Sequence, residues 1–271
     1  MLSPFLERVR TRSPLIHNIT NYVTANDCAN LLLGCGASPI MADDPQEVAE
    51  ITAGCDGLVL NLGTLHTHTV PAMLSAGQAA HTLGHPVVLD PVGVGASRLR
   101  TSTAHMLLNG VRFSVIRGNA SEVKALTLGS NHSHGVDASG ADTSDPLEQT
   151  LALAQTLARQ RNTVAVVTGA VDVVADSTRA FLLRNGHPYL GRVTGTGCML
   201  SSLIGAYVAA SPQQVLEATA AAVCAMGVCG ELAFARMGPQ DGNGSYKTYL
   251  LDALCTLTGA ELERRANYDV R

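Results

Sequence analysis

Short runs of aliphatic and β-branched residues recur along the chain, separated by longer stretches in which apolar positions return every three or four residues. The runs at 15–18, 38–42, 58–61, 87–90, 113–117 and 164–168 read as strands. Between them, 25–33, 45–53, 70–83 and 122–128 carry helix-compatible spacing. Strand–helix alternation of this kind predicts a mostly parallel sheet covered on both faces, an α/β fold. After residue 168 the rhythm changes. The runs 171–175 and 180–183 flank Asp176-Ser177-Thr178-Arg179, which predicts an antiparallel hairpin at the sheet edge. From Gly197 onward the pattern is helical, in three stretches at 198–209, 213–236 and 245–264. The segment 129–145 is polar and turn-rich and predicts a surface loop. No internal repeat is present, so one domain over 1–271 is the simplest organisation.

In open parallel sheets, ligands lie beyond the carboxyl ends of the strands. Those ends are Asn18, Met41-Ala42-Asp43-Asp44, Asn61-Leu62-Gly63, Asp90-Pro91, Arg117-Gly118-Asn119 and Thr168-Gly169. They are unusually polar for a chain with only 15% charged residues.

The most informative stretch is Thr194-Gly195-Thr196-Gly197-Cys198-Met199. Two glycines bracket a threonine directly before small and apolar helix formers. Such a turn lets backbone N–H groups converge where a helix begins, and the helix dipole adds positive potential there. The product is an anion hole suited to a phosphoryl group in transfer; an ordinary tight turn before a helix has the same spacing. Cys198 falls in the first turn of that helix, where a thiol could act as a base toward a substrate hydroxyl or hold the hydroxyl in line. In Arg117-Gly118-Asn119-Ala120-Ser121-Glu122, an apolar strand ends in a cationic fork able to bridge phosphate oxygens. Glu122 and Asp90, each just past a strand, could hold a largely hydrated Mg²⁺, or serve as a helix-start charge and a turn-initiating Asp. Thr168 could contact phosphate, and the thioether of Met41 would suit the flat face of a sulfur heterocycle. His66-Thr67-His68 and His132-Ser133-His134 have metal-like spacing, but no carboxylate or cysteine is placed to complete a site.

Composition narrows the classes. With 271 residues and 46% hydrophobic content, the chain can bury one large core. The formal net charge of -4 and the absence of a Lys/Arg run argue against nucleic-acid or anionic-membrane partners. The first residues lack the layout of a secretory signal. No apolar run reaches the roughly 18 residues of a membrane span; the Ala-, Gly- and Cys-rich stretch 218–230 reads as an interior or subunit-contact helix. Seven cysteines without a CxxC pair suit reduced core thiols and predict a cytoplasmic protein. There is no GxxxxGK[ST], no complete dinucleotide fingerprint, no HExxH and no GxSxG. A hydrolase using Cys198 as nucleophile with a histidine such as His17 stays open on the residues alone.

Six segments, His17-Asn18-Ile19-Thr20-Asn21 within 16–23, Pro39-Ile40-Met41, Asn61-Leu62-Gly63-Thr64, Leu89-Asp90-Pro91-Val92-Gly93, Arg117-Gly118-Asn119-Ala120-Ser121-Glu122 and Thr194-Gly195-Thr196-Gly197-Cys198, occur in that order. Together they resemble the hydroxyethylthiazole kinases of the ribokinase-like superfamily, over nearly the whole chain. The resemblance implies a ribokinase-like three-layer sandwich. It also implies ATP- and Mg²⁺-dependent phosphorylation of 4-methyl-5-(2-hydroxyethyl)thiazole, a salvage step toward thiamine, by a homotrimer with active sites between subunits. It places Met41, Gly195 and Asn21 at the thiazole, and Arg117, Thr168, Thr194, Gly197 and Asn119 at ATP. Asp90 and Glu122 fall at the metal, and Cys198 at the reacting hydroxyl. Asn119 and Glu122 match the superfamily's Asn-x-x-Glu motif. Cys198 stands where most of the superfamily carries an aspartate, a departure typical of the thiazole kinases.

Overall fold

The computed structural model describes residues 1–128 and 146–271; the segment expected to form a surface loop, with His132 and His134, lies outside the described residues. A nine-stranded sheet runs in the order β2-β1-β3-β4-β5-β6-β7-β8-β9. The strands are β1 Leu15–Ile19, β2 Ser38–Met41, β3 Gly57–Asn61, β4 Val87–Asp90, β5 Val115–Asn119, β6 Val164–Thr168, β7 Asp172–Ala175, β8 Ala180–Leu183 and β9 Tyr268–Val270. Strands β2 to β6 are parallel, and β7 to β9 are antiparallel. The expected hairpin is therefore present, but a third antiparallel strand covers it and forms the true edge.

Period-two alternation divides the sheet between two apolar layers. Val59 and Val88 point to one cluster, Leu58, Leu60, Val87 and Leu89 to the other. The first layer is roofed by α1 (Ser3–Arg12), α2 (Ala25–Cys35), α8 (Thr196–Ala210), α9 (Val215–Ala235), α10 (Asn243–Thr256) and α11 (Gly259–Arg265); the second by α3 (Val48–Ala53), α4 (Thr69–Leu83), α5 (Arg98–Gly110), α6 (Ala120–Leu128) and α7 (Pro146–Arg161). Helices α1, α5 and α7 were not evident from spacing. The stretch expected as one helix over 245–264 breaks at Leu257, where Thr258 caps α11 by accepting the Glu261 N–H at 3.1 Å.

Helix α9 is 21 residues long and apolar enough to span a membrane by length and composition, contrary to the expectation that no run is. However, 78% of its most apolar window is buried inside the protein, as befits a core helix. Helix α8 is buried from Met199 to Ala210 and lies on the sheet centre. Gly205 lets it come close: a Cβ there would stand 2.7 Å from Val59. This packing carries the amino end of α8 to the carboxyl ends of β1, β4 and β5.

Candidate active site

The turn before α8 is set by Gly195, whose φ of 91° is a left-handed value that glycine adopts without strain. Helix α2 backs it closely, because a Cβ on Gly195 would lie 2.6 Å from the Thr24 methyl. The first intrahelical bond of α8 runs from Met199 N–H to Gly195 C=O at 2.8 Å. The N–H groups of Thr196, Gly197 and Cys198 precede it and are left for a ligand or solvent. Gly197 is the contact point with β5: a Cβ there would sit 2.7 Å from Arg117 Nη1. The expected anion turn and the expected cationic fork therefore touch.

Arg117 donates to Thr168 Oγ1 at 3.0 Å and lies 3.7 Å from Asp90 Oδ2. Its Nε is buried without a partner, as is Asp90 Oδ1. Burial pushes the Asp90 carboxyl above the usual carboxylate range, against the pull of Arg117 and the hydroxyl of Ser201. Ser201 donates to Asp90 Oδ2 at 2.7 Å, and Asn61 donates to the same oxygen at 2.9 Å. Glu122 forms a reciprocal cap with Asn119: its Oε2 accepts the Asn119 N–H and Asn119 Oδ1 accepts the Glu122 N–H, both at 2.9 Å. Its other oxygen accepts the Gly93 N–H at 2.8 Å. The helix-start role of Glu122 is thus present, and it also draws the β4 and β5 loops together.

Cys198 is half-buried and accepts from Asn21 Nδ2 at 3.3 Å. Five of the other six cysteines are buried, as reduced core thiols are; Cys255 is exposed. His17 is fully buried, and its ring nitrogens face Thr52 Oγ1 and Ala42 C=O, both at 2.9 Å, rather than any cysteine. A His17–Cys198 hydrolytic pair is absent. His66 and His68 stack with centroids 5.5 Å apart, and no group of three metal-ligating side chains occurs among the described residues.

A cavity of about 610 Å³ lies beside the turn, lined by Arg117, Thr168, Asp172, Thr196 and Gly197 among others. Asp172, missed in the sequence, accepts the Gly169 N–H at 2.9 Å, and burial pushes its carboxyl up to about 6. A second hollow of about 320 Å³ opens at the ends of β1 and β2, with Met41, Tyr22 and Asn18 on its wall. Of the expected residues, Arg117, Thr168 and Gly197 meet in the large cavity, and Met41 faces the smaller one. Asn21 bonds Cys198, and Asn61 ties Asn21 to Asp90. Thr194 and Asn119 are exposed and line neither hollow. Asn61 and Ser201 were also missed as functional residues. Asn61 stood in the strand-end list, and Ser201 lies on the Gly197 side of α8, its hydroxyl 3.3 Å from Gly197 C=O.

A parallel sheet with an antiparallel edge, covered by helices on both faces and with a helix amino end aimed at the strand ends, is an α/β architecture of the kind seen in ribokinase-like proteins. A ribokinase-like superfamily protein from Enterococcus faecalis shares the fold at TM-score 0.60 and 13% identity, with 92% of this chain and 88% of that one covered. Residues 6–260 match the hydroxyethylthiazole kinase family, and the chain belongs to that family. It is 52% identical to the hydroxyethylthiazole kinase of Clostridium acetobutylicum, over 99% of each chain. The structure of the hydroxyethylthiazole kinase protein from Pyrococcus horikoshii superposes at TM-score 0.88 with 38% identity, covering 100% of this chain and 98% of that one.

Proposed function

We infer that the chain transfers the γ-phosphoryl group of ATP to the primary hydroxyl of 4-methyl-5-(2-hydroxyethyl)thiazole, a salvage step toward thiamine. The observation that carries the chemistry is the seat of Gly197 against Arg117, which brings the free amides of α8 and a guanidinium to one wall of a single cavity.

In this reading Arg117, Thr168 and the amides at Thr196 and Gly197 grip phosphate oxygens, and the exposed Thr194 and Asn119 reach the ATP from solvent. Phosphoryl transfer usually passes through a loose transition state, so catalysis is mainly positioning and charge stabilisation. Cys198, next to Gly197, takes the proton of the substrate hydroxyl as its oxygen bonds to phosphorus, or aligns that hydroxyl. A full base there is helpful but not obligatory, which fits a thiol in place of a carboxylate. Met41, Gly195 and Asn21 belong to the thiazole side.

The residues also fit Mg²⁺. Asp90 Oδ1 is buried with a vacant acceptor, and Glu122 lies near it. Two carboxylates suffice for a metal that keeps most of its water. Asp90 and Glu122 would hold it, and it would neutralise charge on the phosphate oxygens. Met41 is 38% exposed and Tyr22 73% exposed at the smaller hollow, so the thiazole side is open to solvent. A homotrimer with active sites between subunits would close it, each chain acting as one domain.

The test is ADP release from Mg²⁺-ATP with and without the thiazole alcohol, together with light scattering for mass. Thiazole-dependent ADP and a mass three times that of the chain are expected. ADP release indifferent to the thiazole, or faster with another alcohol, overturns the substrate assignment.

A further inference from the structure

Two buried asparagines lie behind Cys198, and their amide orientations follow from unambiguous backbone donors. Asn61 and Asn21 are 2% and 5% exposed. The Gly63 N–H, which can only donate, lies 2.9 Å from one terminal atom of Asn61, so that atom is the oxygen. The Asn61 nitrogen then faces Asp90 Oδ2 at 2.9 Å. The same Asn61 oxygen lies 3.0 Å from a terminal atom of Asn21, which must be its nitrogen. In agreement, the Thr24 N–H, shared with the Asn21 backbone C=O at 3.2 Å, lies 3.2 Å from the other terminal atom of Asn21, as suits its oxygen. The Gly63 amide sets the orientation and the Thr24 amide agrees with it. The Asn21 NH₂ has two hydrogens: one goes to Asn61, and the second points at Cys198 Sγ, 3.3 Å away. Space is equally constrained, since a Cβ at Gly63 would come within 2.7 Å of Asn21.

We propose that Asn21 and Asn61 are positioning residues that make the sulfur of Cys198 a hydrogen-bond acceptor, leaving its S–H bond no role on the protein side. A sulfur held this way presents a lone pair, or a thiolate, toward the reacting hydroxyl. Asn61 acts at one remove, by tying the Asn21 amide to Asp90 and to the loop after β3. The assignment rests on the kinase reading only for its catalytic consequence; the orientation of the sulfur does not depend on it.

The test is the rate of iodoacetamide labelling of Cys198 in the folded protein at one pH, read by peptide mass spectrometry against exposed Cys255 as internal reference. Asn21→Leu keeps the volume and removes the donor. Its Cys198/Cys255 labelling ratio should fall by about tenfold, the scale of a lost hydrogen bond to a charged group. The kcat should fall with it, while KM for ATP changes by less than about twofold. Should N21L fail to fold, N21A carries the same test, because it removes the N–H donor without adding a charge beside the sulfur. A labelling ratio unchanged or raised in the folded variant overturns the proposal. A lower ratio in a protein without thiazole kinase activity leaves the positioning intact and sinks the kinase reading; an unchanged ratio in an active kinase does the reverse.

Discussion

Gly197→Ala isolates the joint between the anion turn and the guanidinium. The added methyl would stand 2.7 Å from Arg117 Nη1 and 3.0 Å from Nη2. Ordinary contact needs roughly 3.5 Å, so the guanidinium must retreat by about 0.8 Å. Its bond to Thr168 Oγ1 is already 3.0 Å and would stretch past the useful limit. The retreat also withdraws the fork from where phosphate oxygens would lie. Losing one charge-assisted bond costs about 1.5–3 kcal/mol, or roughly 10- to 150-fold in ATP affinity. Alanine is at least as good a helix former as glycine, so the melting temperature should hold or rise. Gly191→Ala is the control: Gly191 lines the same cavity, but a Cβ there meets nothing within 4 Å. Calorimetric titration with ATP analogues and steady-state kinetics read the result. If Gly197→Ala bound ATP within about twofold of the unmodified chain, or if Gly191→Ala lost as much, the contact would not be part of the phosphate site.

Three further outcomes are expected. Cys198→Ala should turn over slowly but measurably and Cys198→Asp should stay active; a Cys198→Ala enzyme with undiminished kcat removes the thiol from the mechanism. For Asp172, folding raises the carboxyl to about 6, so the folded state binds the proton more tightly. Stability is therefore full below the unfolded value near 4 and lost as pH rises through 6. Asp172→Asn should then stabilise the protein by about 3 kcal/mol at pH 8 and by little at pH 4; equal shifts at both pH values contradict the burial argument. For His17, burial lowers the folded value against the bond to Ala42 C=O. The unfolded chain binds the extra proton, so stability falls as pH drops below 6.5. Urea midpoints at pH 7 and pH 5 should diverge less in His17→Gln than in the unmodified chain, and an unaltered divergence would show that His17 does not titrate on unfolding.

The strand ends were legible because parallel strands covered on both faces are continuous apolar runs that stop at polar residues, as at Asp90 and Thr168. Glycine placement made the turn ahead of α8 legible, but the same spacing suits an ordinary tight turn, and its seat against Arg117 could not be read from it. Helix α7 was not read, although Leu147, Leu151, Ala154 and Ala158 follow helical spacing, because it emerges directly from a polar stretch. Strand β9 has only three residues, two of them exposed, and exists through its pairing with β8. No spacing could show that Asn21 meets Asn61, since that requires β1 to lie beside β3 with β2 displaced to the edge. Nor could it show that Ser201 reaches Asp90, 111 positions away.

The turn that leads from α11 into strand β9 also holds a wall of the large cavity. The Asn267 N–H donates to Asn185 Oδ1 at 2.7 Å, and Asn185 also holds Arg265 C=O and Glu231 while lining the cavity. Stopping translation at Ala266 would do more than shorten the polypeptide. It would strip β8 of its outer neighbour, leave a ribbon of bare amides ready to recruit foreign chains, and loosen the wall against which the nucleotide would rest.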